Sequence, residues 1–431
     1  MTLKHKNKMI LGAVLGNLIE AFDMAICGFL SAYLAKYLIG SINEGLMIIF
    51  ITFFVGYMAR PLGALFLGLF SDVYGRKITL SASIITMGFA TACIGFIPSY
   101  QSIGIYAVMG LFILRILQSF SCGVEYLNST AYLIENFDKK EKGFAGIWSS
   151  FGSTAGLLFA TIVTLVMSWA IKNHPDLEWL IWRVPFMLAL LGSSIGLYIR
   201  MYLPESLEFV IYYSEQPKPS IKKILNESLL YCMENQFKTI YVFILSCLGV
   251  TTTFLFYIYG PTQAHIDGHF THNQIILSNS ISLLILLGIY PFAGRLTDRI
   301  SQNKMLIAAL FGFSLLSYLF FSTQSSGNYL YFLGIQALIS IPSGIYYATV
   351  PVMLTNMFPV NLRCTALSVI YSIAASLSAG LTPLLSLVLI QKTHSQTAPS
   401  LIVLILVCLT IGLLLFSSMR KRNLSIEFQI A

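Results

Sequence analysis

Two acidic residues stand three positions apart inside an apolar stretch near the start of the chain. Glu20 and Asp23 interrupt the run that begins at Met9 and continues through GNLIEAFDMAICGFL. On an α-helix, residues i and i+3 share a face, and a membrane helix beginning near Met9 would place both acids roughly 16–21 Å into a core about 30 Å thick. An ionised acid at that depth costs about 2.5–3.5 kcal/mol. The pair is therefore a candidate site for a proton or a ligand. The alternative is a structural pair hydrogen-bonded to neighbouring helices.

Two arginines are predicted at a similar depth in later apolar runs. Arg60 lies twelve residues before Asp72, and Arg115 lies deep in the run that starts near residue 102. An arginine keeps its proton, so each must face a carboxylate, water or an anionic ligand. These arginines could form one polar cluster with the two acids. Alternatively, Arg60 joins helices beside Pro61, and Arg115 belongs to a static ion pair.

Other polar and aromatic residues in the apolar runs are weaker candidates for the same site. Glu125 is predicted about 15 Å further along the helix than Arg115, as an inner gate or a structural partner. Asn17, beside Gly16, is a candidate ligand contact. Aromatic faces could hold a quaternary ammonium group by cation–π attraction, although most tyrosines in membrane helices only pack. The tyrosines considered for this role are Tyr257, Tyr259, Tyr346, Tyr347 and Tyr371.

The composition requires a membrane to surround these residues. Of the 431 residues, 56% are hydrophobic and only 10% are charged, whereas soluble proteins carry roughly 25% charged residues. The net charge of +8 does not indicate nucleic-acid binding, because the basic residues lie in short clusters between apolar runs. The seven cysteines form no CxxC pair, and the loop AHIDGHFTHN fits no defined metal site. We expect no cofactor, no metal and no enzymatic activity, since no nucleophile–base pair or nucleotide loop occurs.

Apolar runs and the polar segments between them define the organisation. Twelve runs of membrane-spanning length lie between residues 9 and 418, and the longest polar interval divides them into two groups of six. The predicted fold is all-α, with twelve transmembrane helices in two six-helix bundles. The predicted domains are an N-terminal bundle (1–203), a cytoplasmic, amphipathic linker (204–237), a C-terminal bundle (238–420) and a cytoplasmic tail (421–431).

Basic residues predict the orientation, and a repeated loop predicts the relation between the two halves. Lysines and arginines concentrate in the loops on the side of both termini, whereas the opposite side keeps only Lys36, Lys172, Arg183 and Lys392. Both termini are therefore predicted to be cytoplasmic. The stretches GLFSDVYGRK and GRLTDRISQN follow spans two and eight, and both contain Gly-xxx-Asp. A parallel repeat of six spans is typical of one large class of secondary transporters.

These motifs resemble a known family. Gly68, Asp72, Gly75, Arg76 and Lys77 match the loop signature between spans two and three of the major facilitator superfamily. Within that superfamily the chain is similar to the metabolite:proton symporter family, which includes bacterial proline/betaine, α-ketoglutarate, citrate and shikimate transporters. Four further stretches carry the similarity, namely GNLIEAFD, RPLGALFLGLFSD, WRVPFMLAL with LYIRMYLPES, and FPVNLRCTALSVIYSIAASLSAGLTP.

The resemblance implies a function and assigns roles to the motifs. It implies proton-coupled import of a small organic solute, such as an osmolyte, an organic acid or a citrate-like siderophore. The implied transport is by alternating access, in a bacterial inner membrane, by a monomer. The superfamily loop implies a gating role for Gly68, Asp72, Gly75, Arg76 and Lys77, and its second copy extends that role to Asp298 and Arg299. The span-four arginine of the family implies proton coupling for Arg115.

The residues are compatible with more than one function. Midplane acids would serve equally well in an exporter working by proton antiport, and a non-transporting membrane sensor is a third, less favoured reading. The sequence identifies neither the solute nor which of Glu20, Asp23 and Glu125 carries the proton. Ala21 replaces the Trp usual in the family, and Ser119 and Val124 replace two glycines, so helix contacts and the solute could differ.

The orientation can be checked by cysteine labelling. Cysteines introduced at Asn7, Ser220 and Asn423 should react with a membrane-impermeant reagent only from the cytoplasmic side, and one at His269 only from outside. Reversed labelling at any two of these positions would contradict the assignment.

Overall fold

The structure, a computed structural model, describes residues 3–40, 43–214 and 218–430. Most of these residues are helical, and no β-strand occurs among them. Twelve helices in the described ranges are long and apolar enough to cross a membrane, which confirms the expected all-α membrane fold. In a bilayer, helices satisfy every backbone hydrogen bond within one segment, and the apolar runs therefore fold this way. Residues 215–217 of the predicted linker lie outside the described residues, as do the side chains of the predicted tail.

The first part of the chain contains six membrane spans and the linker helices. One span is divided into two helices, Ile105–Cys122 and Glu125–Asn136, and another combines Glu178–Ile181 with Val184–Met201 after a short 3-10 turn at Pro175–Leu177. The helices are α1 (Leu3–Phe29), α2 (Ser31–Leu34), α3 (Asn43–Tyr74), α4 (Arg76–Phe96), α5 (Tyr100–Ile103), α6 (Ile105–Cys122), α7 (Glu125–Asn136), α8 (Lys142–Asn173), α9 (Glu178–Ile181), α10 (Val184–Met201), α11 (Leu207–Ser214) and α12 (Ile221–Glu234).

The second part contains the other six spans. The first of them passes through a π-helical segment, Leu255–Tyr259, and a second π-helical segment, Ala35–Ile39, precedes α3. The helices are α13 (Gln236–Phe254), α14 (Gly260–Ile266), α15 (His272–Arg299), α16 (Gln302–Ser326), α17 (Tyr329–Asn356), α18 (Arg363–Thr393) and α19 (Ser400–Ile430).

By internal contacts the chain forms two compact units, and two of the three boundaries between them fall inside helices. One unit contains Met1–Glu234 together with Pro351–Ser376, and the other contains Asn235–Val350 together with Leu377–Ala431. Thus α17 and α18 each contribute one end to each unit. The division into sequence halves remains a prediction about domains.

Small residues allow close helix packing in the first unit. Along α1, Ala21 lies against Gly156 of α8, where an added Cβ would lie 2.9 Å from the Ala21 Cβ. Close approach of this kind is typical of membrane helices, which associate by packing rather than by a hydrophobic drive. A tryptophan at position 21 would not fit this contact, so the departure from the family pattern accompanies tight packing of α1 on α8.

Two irregularities of the backbone are satisfied by hydroxyl groups of α18. Pro61, inside α3, has no N–H to bond the Tyr57 carbonyl, and Ser376 donates to that carbonyl at 2.6 Å. The division between α6 and α7 leaves the Gly123 carbonyl outside both helices, and Ser372 donates to it at 3.0 Å. These bonds compensate carbonyls that would otherwise be unpaired inside the protein.

Candidate functional site

Glu20 and Arg60 form a buried ion pair between α1 and α3. Arg60 Nη2 donates to Glu20 Oε1 at 2.7 Å, and the exposed fractions of the two side chains are only 11% and 8%. The structure therefore brings together the pair that depth matching predicted. In the described part of the chain, Glu20 Oε2 and Arg60 Nε are buried without a hydrogen-bond partner. The pair thus retains one acceptor and one donor for another group.

Tyrosines lie near the guanidinium of this pair. Tyr57 and Tyr371 are close enough to Arg60 to interact with it electrostatically. The Tyr371 ring stacks on Tyr126, with 5.5 Å between the ring centroids. Of the tyrosines suggested by the sequence, Tyr371 is the one placed beside the acidic and basic residues of α1 and α3.

Asp23 is buried in a different environment from Glu20. Its Oδ2 accepts a hydrogen bond from Thr91 of α4 at 2.9 Å, and Gln118 of α6 donates to Thr91 Oγ1 at 2.7 Å. Arg115 donates to Gln118 Oε1 at 2.5 Å. Gln118 and Thr91 thus stand between Arg115 and Asp23, and the arginine reaches this acid through two hydrogen-bonding side chains rather than by direct contact.

Arg115 also contacts the ring of Phe53. The guanidinium carbon lies 4.4 Å from the centre of the Phe53 ring, within the range of a cation–π interaction. A delocalised cation held by a ring face and an amide oxygen is stabilised without a carboxylate in direct contact. Its positive charge therefore remains available to polarise the hydrogen bonds that lead to Asp23.

Glu125 pairs with a residue to which the sequence analysis assigned no role. The Arg200 guanidinium, near the end of α10, donates to both carboxylate oxygens of Glu125, with Nη1 at 3.1 Å from Oε2. Ser83 also donates to Glu125 Oε2, at 2.7 Å. A Cβ at Gly16 would collide with this ion pair, so the glycine of GNLIEAFD lets the pair pack against α1. The available signal was a lone arginine in LYIRMYLPES.

Asn17 connects α1 to neighbouring helices. Its Nδ2 donates to Ser129 Oγ at 2.7 Å and to the Ala13 carbonyl at 2.8 Å. Its Oδ1 is buried without a partner among the described residues. The Asn17 amide group therefore joins α1 to α7 through its nitrogen and keeps its oxygen as a free acceptor. Asn17 and Glu20 are three residues apart and share one face of α1.

The loop motif, Gly68 to Lys77, meets the N-terminus of α18. Asp72 Oδ2 accepts from the backbone N and the Oγ1 of Thr365, each at 2.7 Å, and Oδ1 accepts from Cys364 N at 3.2 Å. A carboxylate is favourable at the N-terminus of a helix. One turn earlier, Gly68 permits this approach, because a Cβ there would lie 2.8 Å from the Thr365 Cα. Both residues of the Gly-xxx-Asp motif therefore contribute to the same contact, the one between α3 and the first turn of α18.

Arg76 and Arg363 share the buried carboxylate of Glu135. Arg76 Nε lies 3.1 Å from Glu135 Oε2, and Arg363 Nη1 lies 2.7 Å from Glu135 Oε1. Arg363 also lies 3.1 Å from Glu208 Oε2, and Arg76 donates to the Val360 carbonyl at 2.6 Å. Fixed charges of both signs thus alternate across this cluster, as buried charges require.

Gly75 precedes the first residue of α4, and the Glu205 side chain caps the N-terminus of that helix. Gly75 has φ +114°, which favours glycine. Glu205 accepts from the backbone N–H groups of Arg76 at 2.9 Å and Lys77 at 3.2 Å, and thereby caps the helix. The Lys77 ammonium donates to the Met201 carbonyl at 2.8 Å.

Tyr213, in the linker helix α11, also contacts this motif. Its hydroxyl donates to the Asp72 carbonyl at 3.2 Å. Burial raises the pKa of Tyr213 to about 12, so the phenol keeps its proton and remains a donor at neutral pH.

The remaining predicted residues lie in the other compact unit. Tyr257 is buried in the π-helical segment, where its hydroxyl lies 3.3 Å from Ser343 Oγ. Asp298 is half-buried and Arg299 is exposed at the end of α15. Their roles remain predictions.

Comparisons with known proteins agree with these features. Residues 9–236 match the family model described as sugar (and other) transporter, and residues 245–428 match that of the Major Facilitator Superfamily. A proline/betaine transporter of Salmonella typhimurium is 31% identical, over 96% of this chain and 83% of the relative. A glycine betaine/proline/ectoine/pipecolic acid transporter of Dickeya dadantii is also 31% identical, over 96% of this chain and 84% of the relative.

Solved structures share the fold. The proton:xylose symporter XylE superposes with a TM-score of 0.78 at 16% identity, covering 96% of each chain. The human organic anion transporter MFSD10 gives a TM-score of 0.65 at 16% identity, covering 95% of this chain and 99% of the other.

Removal of one partner of the buried Glu125–Arg200 pair should be strongly destabilising. Glu125→Gln leaves the Arg200 guanidinium buried without its carboxylate, a loss expected to cost about 3–5 kcal/mol. Adding Arg200→Met should restore part of the thermal stability measured in detergent. The matched control is Lys36→Gln, which breaks a 2.7 Å ion pair whose lysine is 46% exposed and should cost about 1 kcal/mol or less. Equal losses for the two single variants would contradict the structural importance of the buried pair.

Asp72→Asn should reduce transport while leaving solute affinity nearly unchanged. The amide cannot reproduce a negative charge at the helix N-terminus, and Asp72 lies in a cluster distinct from the Glu20–Arg60 pair. Binding would be measured by titration of the purified protein and transport by uptake into proteoliposomes. Asp138→Asn, which changes a side chain that is 81% exposed, is the control. An equal loss of binding and transport would place Asp72 in the solute site instead.

Proposed function

The chain belongs to the major facilitator superfamily, and from this premise we propose that it imports a small zwitterionic solute together with protons. Family membership makes it a multi-pass secondary transporter rather than an enzyme. Both termini are proposed to be cytoplasmic, in a bacterial inner membrane.

The Glu20–Arg60 pair is the observation that carries the proposal. It offers a free carboxylate oxygen and a free guanidinium N–H, both buried, and Tyr57 and Tyr371 lie within electrostatic range of Arg60. A zwitterion presents a carboxylate, which pairs with arginine, and a positive nitrogen, which suits a carboxylate or an aromatic face. A solute without charges would give the free Glu20 oxygen and the free Arg60 N–H no charged partner.

The names of the relatives support the same chemical class. The two named relatives transport glycine betaine, proline, ectoine or pipecolic acid by their descriptions, and each of these compounds combines a carboxylate with a positively charged centre. Glycine betaine and proline are therefore the first solutes to test with this chain.

Asp23 is the proposed proton carrier. It has no ion-pair partner among the described residues, and its Oδ1 is buried without a donor. A carboxylate in that position is under-solvated, so binding of a proton relieves the cost of burial. Glu20, by contrast, has Arg60 in contact and is proposed to bind the solute. In this proposal Glu20 binds the solute and Asp23 binds the proton.

Transport is proposed to follow alternating access. In this scheme the contacts of Asp72 with Thr365 and of Arg363 with Glu135 form in one state and break in the other, since they join the loop motif and α7 to the start of α18. Such contacts need fixed charge but no contact with the solute, which agrees with the separation of the cluster from Glu20 and Arg60.

Uptake by Asp23→Asn tests the proposal. The amide mimics a protonated carboxyl, so accumulation of labelled glycine betaine or proline driven by a pH gradient should be lost, while exchange of labelled for unlabelled solute continues. Glu20→Gln should lower affinity as well. The assay uses proteoliposomes with an imposed pH gradient, and Asp176→Asn, which changes an exposed residue, is the control.

Three outcomes would overturn parts of this proposal. Wild-type accumulation in both Asp23→Asn and Glu20→Gln would make both acids structural. Accumulation driven only by a gradient of the opposite sign would indicate proton antiport and export. Absence of binding by any zwitterion, with binding of an anion such as citrate, would change the solute class.

A further inference from the structure

Gln118 and Thr91 connect Arg115 to Asp23 by hydrogen bonds, and the chemistry of the groups fixes which of them donates in each bond. A guanidinium can only donate, so the Gln118 atom that faces Arg115 at 2.5 Å must be the oxygen. The Gln118 Nε2 group then faces Thr91 Oγ1 at 2.7 Å and the Asp23 backbone carbonyl at 3.2 Å, and donates to both. Thr91 Oγ1 is therefore an acceptor toward Gln118.

The Thr91 hydroxyl has one hydrogen and two possible acceptors. Asp23 Oδ2 lies 2.9 Å from Thr91 Oγ1, and the Met87 carbonyl lies 3.0 Å from it. Because Gln118 already donates to Thr91, the hydrogen of Thr91 must point to one of these two oxygens. A charged carboxylate is the stronger acceptor, whereas a neutral carboxyl is comparable to a backbone carbonyl. The preferred partner therefore depends on whether Asp23 holds a proton.

We propose that Gln118 and Thr91 are positioning residues which transmit the positive polarisation of Arg115 to Asp23, and that the Thr91 hydrogen moves from Asp23 to the Met87 carbonyl when Asp23 binds a proton. The chain of residues Arg115, Gln118, Thr91 and Asp23 is called the relay here. It rests on the proposed function only in assigning proton exchange to Asp23. The proton binds the carboxylate to form a neutral carboxyl group, and the Thr91 O–H bond remains intact and rotates.

The surroundings of Asp23 support this role. Asp23 Oδ1, which has no partner among the described side chains, is the oxygen open to a proton. The ionisable groups facing Asp23 are Arg115 and Cys122 from α6, and Glu20 and Cys27 from α1 itself. Arg115 is the cation among them, and it reaches the carboxylate through two hydrogen-bonding side chains rather than by contact. Loss of either intermediate should weaken stabilisation of the charged form.

The test is an infrared pH titration of the purified protein. The carboxyl band of Asp23 is identified as the signal lost in Asp23→Asn. Thr91→Val removes the donor while nearly preserving shape, so the proton should bind about tenfold more tightly, with a midpoint about one pH unit higher. Thr91→Ser keeps a hydroxyl and should restore the wild-type midpoint.

Two further variants keep the test decisive. Gln118→Met interrupts the relay one residue earlier and should also raise the midpoint, which provides a result if Thr91→Val does not fold. Thr86→Val is the matched control, because Thr86 makes the same kind of backbone bond on α4, to the Ala82 carbonyl at 2.8 Å. Its midpoint should equal that of the wild type.

The results separate the relay from the proposed function. A wild-type midpoint in folded Thr91→Val, or an Asp23 band that does not titrate, would overturn the relay even if Asp23→Asn loses gradient-driven accumulation. A Thr91-dependent midpoint combined with full accumulation in Asp23→Asn would support the relay and reject Asp23 as the coupling residue.

Discussion

The cost of charge inside a membrane protein determines most of the polar structure in the first unit. A buried ion loses its hydration, and only a close partner with good geometry offsets that loss. Glu20 has Arg60, Glu125 has Arg200, and Glu135 has both Arg76 and Arg363. Each of these pairs joins two or more helices. Charge compensation therefore also fixes which helices lie next to each other.

Asp23 is the exception, because it has no arginine in direct contact among the described residues. Its carboxylate receives one hydrogen bond from Thr91, and its nearest cation acts through Gln118. Such a carboxylate is less firmly held in the charged form than one in contact with a guanidinium. The difference between Glu20 and Asp23 arises from their partners on α3, α4 and α6, since both occupy one helix and differ by less than one turn.

The backbone is subject to the same constraint as the side chains. Pro61 and the division at Gly123 each release a carbonyl, and serines of α18 donate to both. Irregular backbone is tolerated at membrane depth where other groups satisfy it. Asp72 and Thr365 extend this contact to the first turn of α18. Helix α18 thus donates to the two backbone carbonyls that have lost their helical hydrogen bonds, and it also contacts the loop motif. The similarity to XylE at 16% identity concerns the helical framework, and these contacts depend on the residues of this chain.

The sequence by itself determined the membrane class, the twelve spans and the family, because apolar length and short motifs are local properties. It also predicted that Glu20 and Arg60 could meet, since depth along a helix follows from residue count. Tertiary structure decided the partners. Depth places Arg115 near Asp23 but cannot show that Gln118 and Thr91 lie between them, because rotation and lateral position of helices are set by packing. Arg200 was missed for the same reason. Its partner, Glu125, is 75 residues away along the chain, and only the packing of α10 against α4 and α1 brings the two charges together.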